Sequence, residues 1–184
     1  MTHRTAAALS VSMALLGCAA IKARQGPPTF ASRAPLDPLV AKLKASGGDP
    51  AAVLVVRGLV DLAKLKEGER YKFALREDGT LAVAPLPVSP PNDYTHPILA
   101  GGKPVRTAGQ LRVHREDGRY RATLDQDSKA YCPTFASLET AREALSQVGV
   151  AGADVALADK PPVCLEEGET MGPGMLPAAR DGGP

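Results

Sequence analysis

Apolar residues recur with helical spacing at Leu36, Leu39, Val40 and Leu43, while Lys42 and Lys44 fall on another side. That spacing predicts a helix, and Gly47-Gly48 stops it. Asp49-Pro50 reads as a second helix start, with Asp as N-cap and Pro at the first helical position. The run from Ala52 to Leu65 is expected to be helix. Its β-branched Val53, Val55, Val56 and Val60 keep a strand over the first half as the alternative.

From Arg70 the period falls to two. Tyr71, Phe73 and Leu75 alternate with Arg70, Lys72 and Arg76, Glu77-Asp78-Gly79 turns, and Leu81 and Val83 return. This is the pattern of a β-hairpin. Positions 85–97 hold Pro85, Pro87, Pro90, Pro91 and Pro97 and are expected to be irregular. A second hairpin follows. Leu111 and Val113 face one way, Arg112 and His114 the other; Glu116-Asp117-Gly118 turns; Tyr120, Ala122 and Leu124 come back. Ser137 is placed as the cap of a helix with Thr140 as its N3 residue, running through Leu138, Ala141, Leu145 and Val148 to Gly149. Val155-Ala156-Leu157 suggests a last strand. Together these elements predict an α+β domain: a small antiparallel sheet of two hairpins plus a late strand, with two or three flanking helices.

Composition supports one folded domain. The chain has 184 residues, 44% of them apolar and 23% charged, which excludes wholesale disorder. Lys and Arg number 22 against 20 Asp and Glu, so no strong basic field points to nucleic acid. No apolar run reaches the ~18 residues of a membrane-spanning helix.

The amino terminus suggests a location. Arg4 precedes an apolar run of 11 residues from Ala6 to Leu16, the length of the apolar region of a secretory signal. Leu15-Leu16-Gly17-Cys18 then resembles the bacterial lipobox, in which an aliphatic and a small residue precede an obligatory Cys. The resemblance implies cleavage before Cys18, diacylglyceryl on its thiol and a further acyl chain on its amine. Several chains, at ~0.8 kcal/mol per buried methylene, hold a protein on a membrane stably. The expected organisation is a signal peptide over 1–17, a lipid-anchored tether over 18–35, one domain over 36–165 and a disordered tail over 166–184. The expected location is the bacterial envelope, with inner or outer membrane open. Once Cys18 carries lipid, Cys132 and Cys164 remain, and two thiols in an exported domain are expected to pair. Two separate free thiols are the alternative. No C-x-x-C and no paired His calls for a metal, and no motif calls for a cofactor.

The stretch from Thr95 to Leu111, THPILAGGKPVRTAGQL, resembles the pattern H-x-x-L-A-G-G-x-x-V-x-x-A-G-x-L. That pattern belongs to an uncharacterised bacterial domain shared with plant IQ-motif calmodulin-binding proteins. In that family a hairpin follows, then S-G-H-Y-[RK]-P, a helix and a Gly-Val ending. The counterparts here are Ser128-Lys129-Ala130-Tyr131-Cys132-Pro133, the Ser137 helix and Gly149-Val150. The resemblance covers Tyr71 to Val155. No IQ motif is present, so the plant partner does not carry over. Ala130 stands where the family has His, which favours a binding or structural role over a catalytic one.

Several residues remain candidates for chemistry. His96 is a candidate base or ligand-orienting group with Ser128 and Tyr131, the arrangement of a hydrolase or transferase; a hydrogen-bonded brace is its structural alternative. Ser128 lacks the G-x-S-x-G context of a strained nucleophile. Gly101, Gly102 and Arg106 are candidate ligand contacts, with a tight turn as the alternative for the glycines. Lys103 is followed by Pro104, which excludes a P-loop. Arg112, His114, Arg119 and Arg121 on the second hairpin are candidates for an anionic envelope polymer or headgroup, or a solvated face. The leading expectation is a lipid-anchored envelope protein with a binding or scaffolding domain. An envelope enzyme and a toxin-associated or immunity domain are the rivals.

Overall fold

The computed structural model describes residues 28–86 and 94–166. The expected signal peptide, Cys18 and nearly all of the expected tail lie outside these residues. Six strands form one sheet: β1 (Leu54–Val56), β2 (Arg70–Arg76), β3 (Leu81–Pro85), β4 (Val105–Glu116), β5 (Arg119–Asp125) and β6 (Val155–Ala158). Their order is β1-β3-β2-β4-β5-β6, and every neighbouring pair is antiparallel except β5–β6, which is parallel. The helices are α1 (Leu36–Ala45), α2 (Leu59–Leu62), α3 (His96–Ala100) and α4 (Leu138–Gln147). The fold is α+β, with both expected hairpins and the expected late strand in place.

The two faces of the sheet are built from different residues. Tyr71, Phe73 and Leu75 on β2, Leu81 and Val83 on β3, Leu111 and Val113 on β4 and Leu124 on β5 form one buried cluster. Leu138, Ala141 and Leu145 of α4 cover it, the apolar stripe expected from their helical spacing. On the opposite face the cross-strand row is Ala82–Ala74–Ala108. With no side chain beyond Cβ, this row lets α3 lie close to the backbone. Ile98, Leu99 and Ala100 of α3, and Leu39 and Leu43 of α1, fill this second cluster.

Four local expectations need correction. The run from Ala52 to Leu65 is not one helix: Leu54–Val56 is a strand against β3, and helix is confined to Leu59–Leu62. Gly58, extended at φ −172°, separates the two, and pairing on the sheet outweighs the weak helix propensity of the valines. Asp49 does act as a cap, accepting from Ala51 N at 2.9 Å, but over a single 3-10 turn. The proline-rich segment turns helical at its end, because Pro97 sits in the first turn of α3, where a missing N–H costs nothing. Ser137 is not a side-chain cap: its hydroxyl donates to Thr134 O at 2.6 Å and accepts from the Thr107 hydroxyl at 2.8 Å.

Part of the stretch expected as a spacer is folded onto the domain. Phe30 and Val105 exchange backbone hydrogen bonds of 2.7 and 3.0 Å, Arg33 N donates to Ala130 O at 2.7 Å, and Ala34 is buried. These contacts place residues 30–34 in the second cluster rather than between domain and membrane.

Candidate functional site

The H-x-x-L-A-G-G pattern builds a turn held by main-chain bonds. His96, buried, has Nε2 at 2.9 Å from Gly109 O. Gly101 and Gly102 both take left-handed φ, +64° and +74°, and Gly102 N closes the end of α3 on Pro97 O at 2.8 Å, as a Schellman-type helix end requires. A Cβ on Gly102 would lie 3.0 Å from Leu36 Cδ2. Leu99, Ala100, Val105 and Ala108 are buried. Gly109 is required by close approach, since a Cβ there would fall 1.8 Å from Asp125 O, where the chain leaves β5. The two candidate ligand glycines are therefore turn residues.

The remaining catalytic candidates are bound up in the same framework. Tyr131 OH donates to Lys103 O at 2.9 Å. Burial pushes the Tyr131 phenol up to about 12, against a small opposing contribution from the Ser32 hydroxyl. A phenol that holds its proton so firmly is no acid–base group near neutrality. Arg106 Nη2 donates to Glu77 O at 2.6 Å and holds the first hairpin turn. Ser128 is fully buried, and its Oγ has no hydrogen-bond partner. A nucleophilic serine needs a base in contact, and the structure supplies none at Ser128. Ala130 is buried and accepts from Arg33 N through its carbonyl.

Cys132 and Cys164 stand at disulfide distance, with Cα atoms 5.5 Å apart and a sequence separation of 32. Cys132 adopts φ +50°. Beside the pair, Leu165 N donates to Lys129 O at 3.1 Å and Arg33 Nη1 to Leu165 O at 3.0 Å. The N-terminal segment, the Ser128–Cys132 loop and the chain beyond β6 are thus joined at one point.

The open cleft lies elsewhere. Past the alanine row, the same sheet face becomes polar. There Arg70, Gln110, Leu111, Arg112, His114, Thr123, Asp125 and Lys160 line a groove of about 280 Å³. His96, Ser128 and Tyr131 do not line it. One end of the groove is internally balanced. Asp125 Oδ1 accepts from Gln110 N and Asp127 N, both at 3.0 Å, and Lys160 Nζ reaches Asp127 Oδ2 at 2.7 Å. Burial raises the Asp125 carboxyl above its ordinary range; the two N–H donors and Lys160 pull the other way. The other end carries cations. Arg70 and Arg112 face each other across β2 and β4, and His114 lies two positions further along.

No family model, no curated protein and no solved structure matches the chain. Geometry and sequence pattern therefore carry the functional reading. Among the described residues no helix is long and apolar enough to cross a membrane, and no group of three or more His, Cys, Asp or Glu is placed to hold a metal ion. Of the second hairpin's basic residues, Arg112 and His114 reach the groove. Arg121 is held by Glu116 at 3.0 Å and Asp154 at 3.9 Å instead. Sequence reasoning missed Arg70, Gln110, Thr123 and Asp125, which only strand register brings together, and Lys160, which reaches them from beyond β6. Polar residues alternating along three strands were the available signal.

Proposed function

We propose that this chain is a lipid-anchored protein of the bacterial envelope whose α+β domain binds or scaffolds and performs no catalysis. The observation that carries the domain's role is the use of the candidate catalytic groups: His96 Nε2 and Tyr131 OH both meet main-chain carbonyls, at 2.9 Å each. The motif that resembles the IQ-associated bacterial domain is in this reading a folding element, with Ala130 in place of the family's His. The anchor rests on Leu15-Leu16-Gly17-Cys18 behind an apolar run of 11 residues. The placement of Cys132 and Cys164 supports export, since a disulfide between them persists only in an oxidising compartment.

Fractionation of cells making Cys18→Ala tests the anchor. The parent chain is expected in the membrane pellet after high salt and carbonate, and the variant in the soluble fraction. A variant that stays with the membrane sinks the anchor. The bracing role of His96 is tested with His96→Asn, which should lower thermal stability by about 1–3 kcal/mol through the buried carbonyl of Gly109; a variant as stable as the parent overturns it.

A further inference from the structure

We propose that the groove on the open part of the alanine face binds a phosphate group, held between the guanidinium groups of Arg70 and Arg112 with His114 beside them. The inference gives chemistry to the binding role proposed above, and it does not depend on the lipid anchor.

Arg70 and Arg112 form a like-charge pair across the sheet. Residues directly opposed in an antiparallel pair sit about 4.5–5.5 Å apart at Cα. Like charges in that position destabilise a sheet. Among the described residues neither guanidinium has a carboxylate partner, whereas Arg121, Arg142 and Lys160 do. The carboxylate that lines the groove, Asp125, is turned to other work: its Oδ1 takes two backbone N–H groups, and Lys160 Nζ stands 4.0 Å from its Oδ2. The cationic end is left for a ligand to neutralise.

The donors at this end fit a tetrahedral anion better than a planar one. One arginine fork satisfies a carboxylate, which offers two coplanar oxygens. Two forks, the His114 imidazole and the Thr123 hydroxyl together offer more donors than that. A phosphate monoester or diester presents the extra acceptor oxygens in a tetrahedral array. The volume, about 280 Å³, lies just under the ~300–1,000 Å³ of pockets for drug-sized ligands, so it takes a phosphate with a short attachment. Among the described residues no Phe, Tyr or Trp lines the groove to stack a base or a sugar ring. The ligand is therefore recognised by its charge, and a nucleobase adds nothing.

The test is calorimetric titration of the full chain with sodium phosphate and with glycerol phosphate, against sodium chloride at matched ionic strength. Saturable binding of both phosphates is expected. It should weaken at least tenfold in Arg70→Gln and in Arg112→Gln, and less than twofold in Arg119→Gln on the same hairpin. Arg112→Lys should recover part of the loss. The free Arg70→Gln and Arg112→Gln proteins should melt no lower than the parent, because each removes a like charge. Glutamine variants that melt well below the parent assign the two arginines to the fold and overturn the proposal. So does the absence of saturable phosphate binding, including the case in which phosphatidylglycerol vesicles are bound instead. Cys18→Ala should bind phosphate as the parent does; a variant that stays with the membrane yet still binds phosphate removes the lipid anchor alone.

Discussion

The two faces of the sheet solve the same packing problem by opposite means. On the α4 face, large side chains such as Phe73, Leu75, Leu111 and Leu124 reach out from the strands and interdigitate with Leu138 and Leu145. On the other face Ala74, Ala82 and Ala108 hold the strands back, so that α3 can lie on them. A layer of alanines buries little area per residue, and at ~25 cal/mol per Å² contributes correspondingly little. That second face is also where the chain is fastened: the Phe30–Val105 bridge, the Arg33 bonds, Tyr131 on Lys103 and the Cys132–Cys164 pair all cluster there. The lesson is that close backbone approach replaces side-chain volume, and fastenings replace the burial that is lost. The same face is left uncovered where its residues turn polar, and there it becomes a groove.

That contrast can be broken in a graded way. The largest effect is expected from Gly109→Ala, because the new Cβ would fall on a backbone oxygen that no rotamer change can move. A cost of about 4 kcal/mol or more is expected, seen as loss of the cooperative melt or a strongly lowered midpoint in urea. Phe73→Ala, on the face that depends on volume, should cost about 3–5 kcal/mol through the cavity it leaves. The matched change on the other face runs in the opposite size direction. Ala74→Leu should cost about 1–3 kcal/mol by forcing α3 away, while Phe73→Leu should cost less than Phe73→Ala. If Ala74→Leu were neutral, the claim that the alanine row sets the helix distance would fail.

Reduction of the Cys132–Cys164 pair should cost about 2–4 kcal/mol, the range for a native bridge over a loop of this order. Thermal melts with and without reductant read it, and ~1 kcal/mol corresponds to roughly 2–8 °C in a domain of this size. If the fastenings belong to the alanine face, reduction should raise hydrogen exchange in α3 and the Ser128–Cys132 loop before it does so in α4. The smallest effect concerns Tyr131, whose folded pKa is raised from 10.0 to about 12 by burial. The unfolded chain releases this proton first, so stability is full below pH 10 and declines as pH rises from 10 towards 12. Absorbance at 295 nm should show one phenol titrating late, and Tyr131→Phe should remove it.

Much of this architecture is legible in the sequence. Alternation in Tyr71-Phe73-Leu75 and Leu111-Val113 marked strands because one sheet face is buried along its whole length, and the Glu-Asp-Gly turns marked both hairpins. The spacing of Leu36, Leu39 and Leu43 and of Leu138, Ala141 and Leu145 marked helices for the same reason. The pairing of Cys132 with Cys164 followed from counting thiols. Less was legible where short elements depend on their neighbours. Leu54–Val56 is a strand because β3 offers it an open edge; β-branched Val55 and Val56 kept that alternative open, but three residues are too few to decide it against the helix expected there. Helix α3 has only five residues, too short for a periodic signal, and exists because the alanine row makes room for it.

The sequence by itself determined which positions are apolar, where the chain can turn, and which residues have charge or a thiol to offer. Those properties are local, and they survive in the unfolded chain. The tertiary structure alone decided what the polar groups do. His96, Tyr131 and Arg106 looked like chemistry because their types allow it, but each is set against a carbonyl 13 to 29 positions away in sequence. Arg70, Arg112 and Asp125 carried no motif, yet register across β2, β4 and β5 brings them to one groove. Hydrogen-bond partners and charge neighbours are set by distances in space, and a one-residue slip in register would send the same side chains to the other face of the sheet.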